Sequence, residues 1–67
     1  MIEVRLNGED TELAEGTTVA GLLAARGIAP GGVAVAVNAE VVPRASHATT
    51  VLPDGAVVEV LTAVQGG

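Results

Sequence analysis

Cysteine, lysine, phenylalanine, tyrosine and tryptophan are all missing from this 67-residue chain. Without cysteine there is no disulfide framework, no thiolate-ligated zinc or iron–sulfur site and no thiol nucleophile. Without lysine there is no Schiff-base chemistry. Basic residues are scarce as well: three arginines stand against eight acids, for a net charge of −5. A nucleic-acid partner calls for basic patches and aromatic stacking platforms, and this chain has neither. No charged stretch leads into an apolar segment of signal-peptide type, and the longest apolar run is far short of a membrane span. A cysteine-free chain of this kind is expected in the cytoplasm.

What is present is a supply of small aliphatic side chains. Hydrophobic residues make up 49% of the sequence, nearly all of them Val, Ala and Leu. That composition belongs to a folded globule rather than a disordered tail, and β-branched residues suit a sheet face. Sixty-seven residues allow one domain with a modest core, close to the lower limit of independent stability. The acidic balance fits docking on a basic protein surface and equally fits a solubility role.

The opening MIEVRLNGEDTELAEG reads as a β-hairpin. Ile2, Val4 and Leu6 alternate with Glu3 and Arg5, the period of a half-buried strand. Asn7-Gly8 is a tight-turn pair. A second strand follows with Thr11 and Leu13 inward, ending at Gly16. TTVAGLLAARGIAPGG reads as a short helix capped by Thr17 or Thr18. Its apolar stripe is Val19, Leu22 and Leu23. Gly27 suits the position after the last turn, Ile28 folds back onto it, and Pro30 prevents continuation. Gly21 in mid-helix reads as a place of close packing on a sheet or as a glycine that is only tolerated. A strand covers Val33 to Val37, with one face lined only by alanine. Asn38-Ala39 turns into a very short strand at Val41-Val42, which Pro43 stops. ASHATT is a polar loop with room for one helical turn. Pro53-Asp54-Gly55 turns into the last strand, Ala56 to Ala63. One helix and this many strands predict an α+β domain of two layers, a mixed sheet of four to five strands with the helix across one face.

Few residues carry chemistry. His47 has no partner set around it and reads as a solvated loop residue. Glu9, Asp10, Glu12 and Glu15 lack calcium-loop spacing and read as a solvated hairpin face or a patch that steers a partner. GIAPGG is rich in glycine but is followed by no Lys-Ser/Thr and no helix, so it is a connection rather than a phosphate loop. The last two residues, Gly66 and Gly67, directly follow a strand-like run. They are expected to form a slim arm ending in a free carboxylate, able to enter a narrow slot because glycine has no Cβ. A terminal carboxylate, with a reference pKa of about 3.5, is ionised at neutral pH and a poor electrophile. A separate enzyme can activate it by joining it to AMP.

Val37-Asn38, Val41-Val42-Pro43-Arg44, Asp54-Gly55, the helix start EGTTVAGLL and the terminal Gly66-Gly67 together resemble the ThiS family of sulfur carriers in thiamine biosynthesis. The resemblance covers essentially the whole chain. It implies the β-grasp, or ubiquitin-like, fold, with residues 1–65 as a single domain and 66–67 as a flexible tail. It implies a protein substrate and carrier rather than an enzyme, with no cofactor bound. A ThiF-like adenylyltransferase, using ATP and magnesium, would adenylate Gly67. A cysteine desulfurase or rhodanese-type donor would supply sulfur to give a Gly67 thiocarboxylate, and thiazole synthase (ThiG) would take that sulfur into the thiazole ring. Gly66 would keep the arm slim. On the exposed face of the last strand, Leu61 and Val64 read as docking residues or as ordinary packing residues, and Arg44 as a polar contact or a solvated loop residue. The helix departs from the pattern in being short and rich in Ala and Gly. Rival readings are a MoaD-like carrier for molybdopterin synthesis, a ubiquitin-like modifier joined through Gly67 to target lysines, and a binding module whose tail is irrelevant.

Overall fold

The computed structural model describes residues 1–29 and 31–62. Strands β1 (Ile2–Leu6) and β2 (Glu9–Leu13) pair antiparallel as a hairpin. Asn7 and Gly8 between them both take positive φ, 50° and 83°, the conformation whose twist matches the flanking strands. On β1 the apolar residues Ile2, Val4 and Leu6 are buried and Glu3 and Arg5 exposed. On β2 Leu13 is buried and Thr11 half-buried.

The helix α1 spans Val19–Ala25. Thr18 is its N-cap, and the Thr18 hydroxyl accepts from the Gly21 amide at 3.1 Å. Two further N-terminal amides find carbonyls outside the helix: Val19 donates to Thr50 at 3.0 Å and Ala20 to His47 at 2.9 Å. The loop before the last strand thus closes the helix end that would otherwise leave donors unpaired. At the other end Gly27, with φ 70°, lets Ile28 donate to Leu23 at 2.8 Å and Gly27 to Ala24 at 3.1 Å. This is the paired 6→1 and 5→2 bonding of a Schellman motif, and it folds Ile28 back against the core.

Strand β3 (Val33–Val37) is followed by β4 (Glu40–Val42), a 3₁₀ turn at Arg44–Ser46 and β5 (Val57–Thr62). The sheet order is β2-β1-β5-β3-β4. The central pair β1 and β5 is parallel and every other pair antiparallel, so the two strands nearest the ends of the chain meet in the middle of the sheet. The helix covers one face. Val19, Leu22 and Leu23 from α1 pack with Val4, Leu6, Val35, Val58 and Val60 from the sheet and with Leu52 from the loop.

Two expectations are corrected. Gly21 does not mark a close approach to the sheet. It is exposed, and a Cβ there would touch only Thr17 Cγ2 at 3.4 Å and Thr18 Oγ1 at 3.5 Å, ordinary contacts within the helix's own first turn. His47 is not a solvated loop residue. It is 4% exposed and the one buried polar residue among those described. Its loop is polar in sequence, but the backbone bonds that close the helix end pull the loop under α1 and take the imidazole with it.

Candidate functional site

Strand β5 alternates from Val57 to Leu61. Val58 and Val60 face the core, while Val57, Glu59 and Leu61 face the other way. Its backbone is held on both edges by asparagine side chains. The Asn7 Oδ1 accepts from the Val60 amide at 2.9 Å and its Nδ2 donates to the Val60 carbonyl at 3.2 Å. From the opposite edge the Asn38 Oδ1 accepts from the Val57 amide at 2.9 Å, and the Asn38 amide donates to the Val57 carbonyl at 2.7 Å. Asn7 and Asn38 both sit in tight turns at positive φ. The preceding turn is pinned as well: Asp54 Oδ1 accepts from the Glu3 amide at 2.8 Å, and the Gly55 amide donates to the Glu3 carbonyl at 2.7 Å. The strand that leads toward the chain end is therefore a rigid platform.

The sheet face that the helix leaves open carries an apolar strip. Leu61, 68% exposed, lies opposite Ala34, and Ala36 lies opposite both Glu59 and Val41. Val41 is 70% exposed. The alternation of β3 and β5 foretells these faces, but that they join Val41 into one strip follows only from the strand order.

Arg44 stands elsewhere. Val42, the last residue of β4, pairs with Val35, which pairs with Val60 on β5, and Arg44 opens the 3₁₀ turn two residues further on. Its side chain turns to the helix side. It borders a cavity of about 270 Å³ whose other walls come from α1, Ile28, His47 and Ala48. A Cβ on Gly31 would lie 3.9 Å from Arg44 Nη1. In the same region His47 Nε2 is 3.1 Å from the Val42 carbonyl. A carbonyl only accepts, so Nε2 carries the proton and a neutral ring leaves Nδ1 with a lone pair. That nitrogen is buried without a partner. The structure thus separates Leu61 from Arg44, on opposite sides of the same sheet. Val64, Gly66 and Gly67 lie outside the described residues.

Among the described residues no group of three His, Cys, Asp or Glu is placed to hold a metal ion. Among the same described residues no helix is long and apolar enough to cross a membrane. The acids of the hairpin are partly engaged in local pairs: Arg5 Nε meets Asp10 Oδ1 at 3.4 Å, and Arg26 Nη2 approaches Glu9 Oε1 at 3.8 Å, both exposed. Such pairs contribute little to stability.

The family model described as "ThiS family" matches residues 4–67, nearly the whole chain and through both terminal glycines. The chain belongs to the ThiS family. The crystal structure of the thiamine biosynthesis protein ThiS from Geobacter metallireducens superposes with a TM-score of 0.84 at 33% identity, covering 98% of this chain and all of that one. A solution structure of a thiamine biosynthesis protein from the same organism gives a TM-score of 0.80 at 33% identity, covering 98% of this chain and 88% of that one. The thiazole synthase of Magnetococcus marinus is 39% identical over 66 residues, which is 98% of this chain but only 20% of that protein. The ThiS fold is the β-grasp expected from the sequence, here with five strands.

Proposed function

We propose that the chain is the sulfur carrier of thiamine biosynthesis, with the Gly67 carboxylate as its reactive group. A ThiF-like enzyme using ATP and magnesium joins that carboxylate to AMP and releases pyrophosphate. The persulfide sulfur of a cysteine desulfurase or rhodanese-type donor then attacks the carbonyl carbon, and AMP leaves. A thiol splits the resulting sulfur–sulfur bond, leaving a thiocarboxylate on Gly67 and a disulfide with the thiol. Thiazole synthase accepts the sulfur. The chain contributes a rigid platform and a slim end, and the partner enzymes contribute catalysis.

The observation that carries this reading is the family match running through Gly66 and Gly67, beyond a strand clamped on both edges. A thiazole synthase that holds a stretch of this kind within its own chain supports ThiG as the acceptor over a MoaD-type pathway. The strip around Leu61, Ala34 and Val41 supports docking on the open sheet face, since exposed apolar patches mark interaction surfaces. The test is intact-mass analysis after incubation with a ThiF-like enzyme, ATP and a sulfur donor. The expected product has one oxygen replaced by sulfur, and a chain lacking Gly67 gains nothing. An unchanged mass for the full chain, under conditions that load an established carrier, rejects the proposal.

A further inference from the structure

The cavity beside α1 is not part of the open sheet face, and nothing in the carrier reading uses it. Its walls are Leu23 and Ala24 of the helix, Ile28 and Ala48, with Arg44 at the rim and His47 behind. Of the three arginines, Arg5 and Arg26 each have a carboxylate within 4 Å, while Arg44 has none among the described residues. On a chain of net charge −5, Arg44 is a positive point beside an apolar hollow with no acidic side chain against it among the described residues. Its backbone is held in place: the Arg44 carbonyl accepts from the His47 amide at 3.1 Å.

We propose that this hollow is a second docking point for the adenylylating enzyme, and that it receives an acidic loop. A carboxylate of that loop meets Arg44, and an aliphatic side chain beside it fills the space between Ala24 and Ala48. The inference rests on the carrier reading and names a contact of that partner. Three observations support a protein loop. Among the described lining residues the polar side chains are Arg44 and His47, and His47 Nδ1 is sealed off, so no set of polar side chains converges there to orient a small ligand. The small walls leave room for one side chain. Arg44 also lies two residues past Val42, which stands two strand spacings, about 10 Å, from Val60, and the five residues that follow Thr62 span at most about 18 Å. An enzyme holding the Gly67 carboxylate therefore works within reach of Arg44. With Leu61 engaged on the other side, it grips the sheet end from both faces.

The experiment titrates a ThiF-like adenylyltransferase with the full chain and with Arg44→Glu and Ala24→Trp, following affinity by calorimetry and folding by thermal unfolding. Each variant is expected to bind about tenfold more weakly or worse. In the wild-type chain, the Leu23 and Ile28 methyl NMR signals are expected to shift when the enzyme is added. If the wild type is adenylated but both folded variants bind equally well, the second docking point is wrong and the carrier reading stands. Should Ala24→Trp fail to fold, unmoved Leu23 and Ile28 methyls overturn the inference. A wild type that is neither bound nor adenylated overturns both. Self-association through the hollow, seen by sedimentation without enzyme and abolished by Arg44→Glu, also overturns it in favour of a second copy.

Discussion

At the scale of single residues, His47 shows how position in the fold overrides composition. In sequence it sits between Ser46 and Ala48 in a polar loop. In the structure it is buried, with one ring nitrogen on the Val42 carbonyl and the other unpartnered. A buried polar atom without a partner costs about 1–3 kcal/mol, yet the ring also fills space under α1 and satisfies a carbonyl. Truncation leaves both that carbonyl and a cavity. His47→Ala is therefore expected to lower stability by about 2 kcal/mol, read as an earlier midpoint in urea unfolding; an unshifted midpoint would show that the packing matters little. Asn7 and Asn38 repay a similar look. Each was legible as a turn residue, but their grip on the Val60 and Val57 backbone depends on β5 arriving between them, which no local pattern encodes.

At the scale of elements, α1 has seven residues and is held by its ends and its buried stripe. Isolated helices of that length are unstable in water. Thr18, the carbonyls of His47 and Thr50, and the Gly27 turn satisfy its terminal groups, while Val19, Leu22 and Leu23 anchor it. Gly21 takes part only through its backbone amide, which donates to the Thr18 hydroxyl, and its missing side chain contributes nothing. It is exposed, and a methyl there meets only ordinary contacts. Gly21→Ala is accordingly expected to stabilise the protein by about 0.5–1 kcal/mol, measurable as a rise in the thermal midpoint. A fall would mean that the glycine is needed for packing after all. The strands were easier to read than the loop between β4 and β5, because period-2 alternation is a local property and loop burial is not.

At the scale of the whole molecule, the sheet order decides what faces a partner. Pairing β5 with β1 on one side and β3 on the other brings Leu61, Ala34, Ala36 and Val41 onto one open surface, and sends Arg44 to the other side. Leu61 lies outside the buried core and is 68% exposed. Leu61→Asp should leave unfolding within about 0.5 kcal/mol of wild type while, on the proposed function, weakening binding to a ThiF-like adenylylating enzyme and slowing formation of a thiocarboxylate. Loss of stability on the same scale as a core truncation would place Leu61 among the packing residues instead.

The amino-acid pattern by itself determined the hairpin, the helix with its caps, the alternation of β3 and β5, and the family, because hydrophobic period, turn chemistry and terminal motif act over a few residues at a time. Only the tertiary structure decided that His47 is buried, that Gly21 is free, that two asparagines clamp β5, and that Leu61 and Arg44 stand on opposite faces. Each of those depends on which distant strand or loop comes to lie alongside, a choice set by the total area buried rather than by any neighbouring residues.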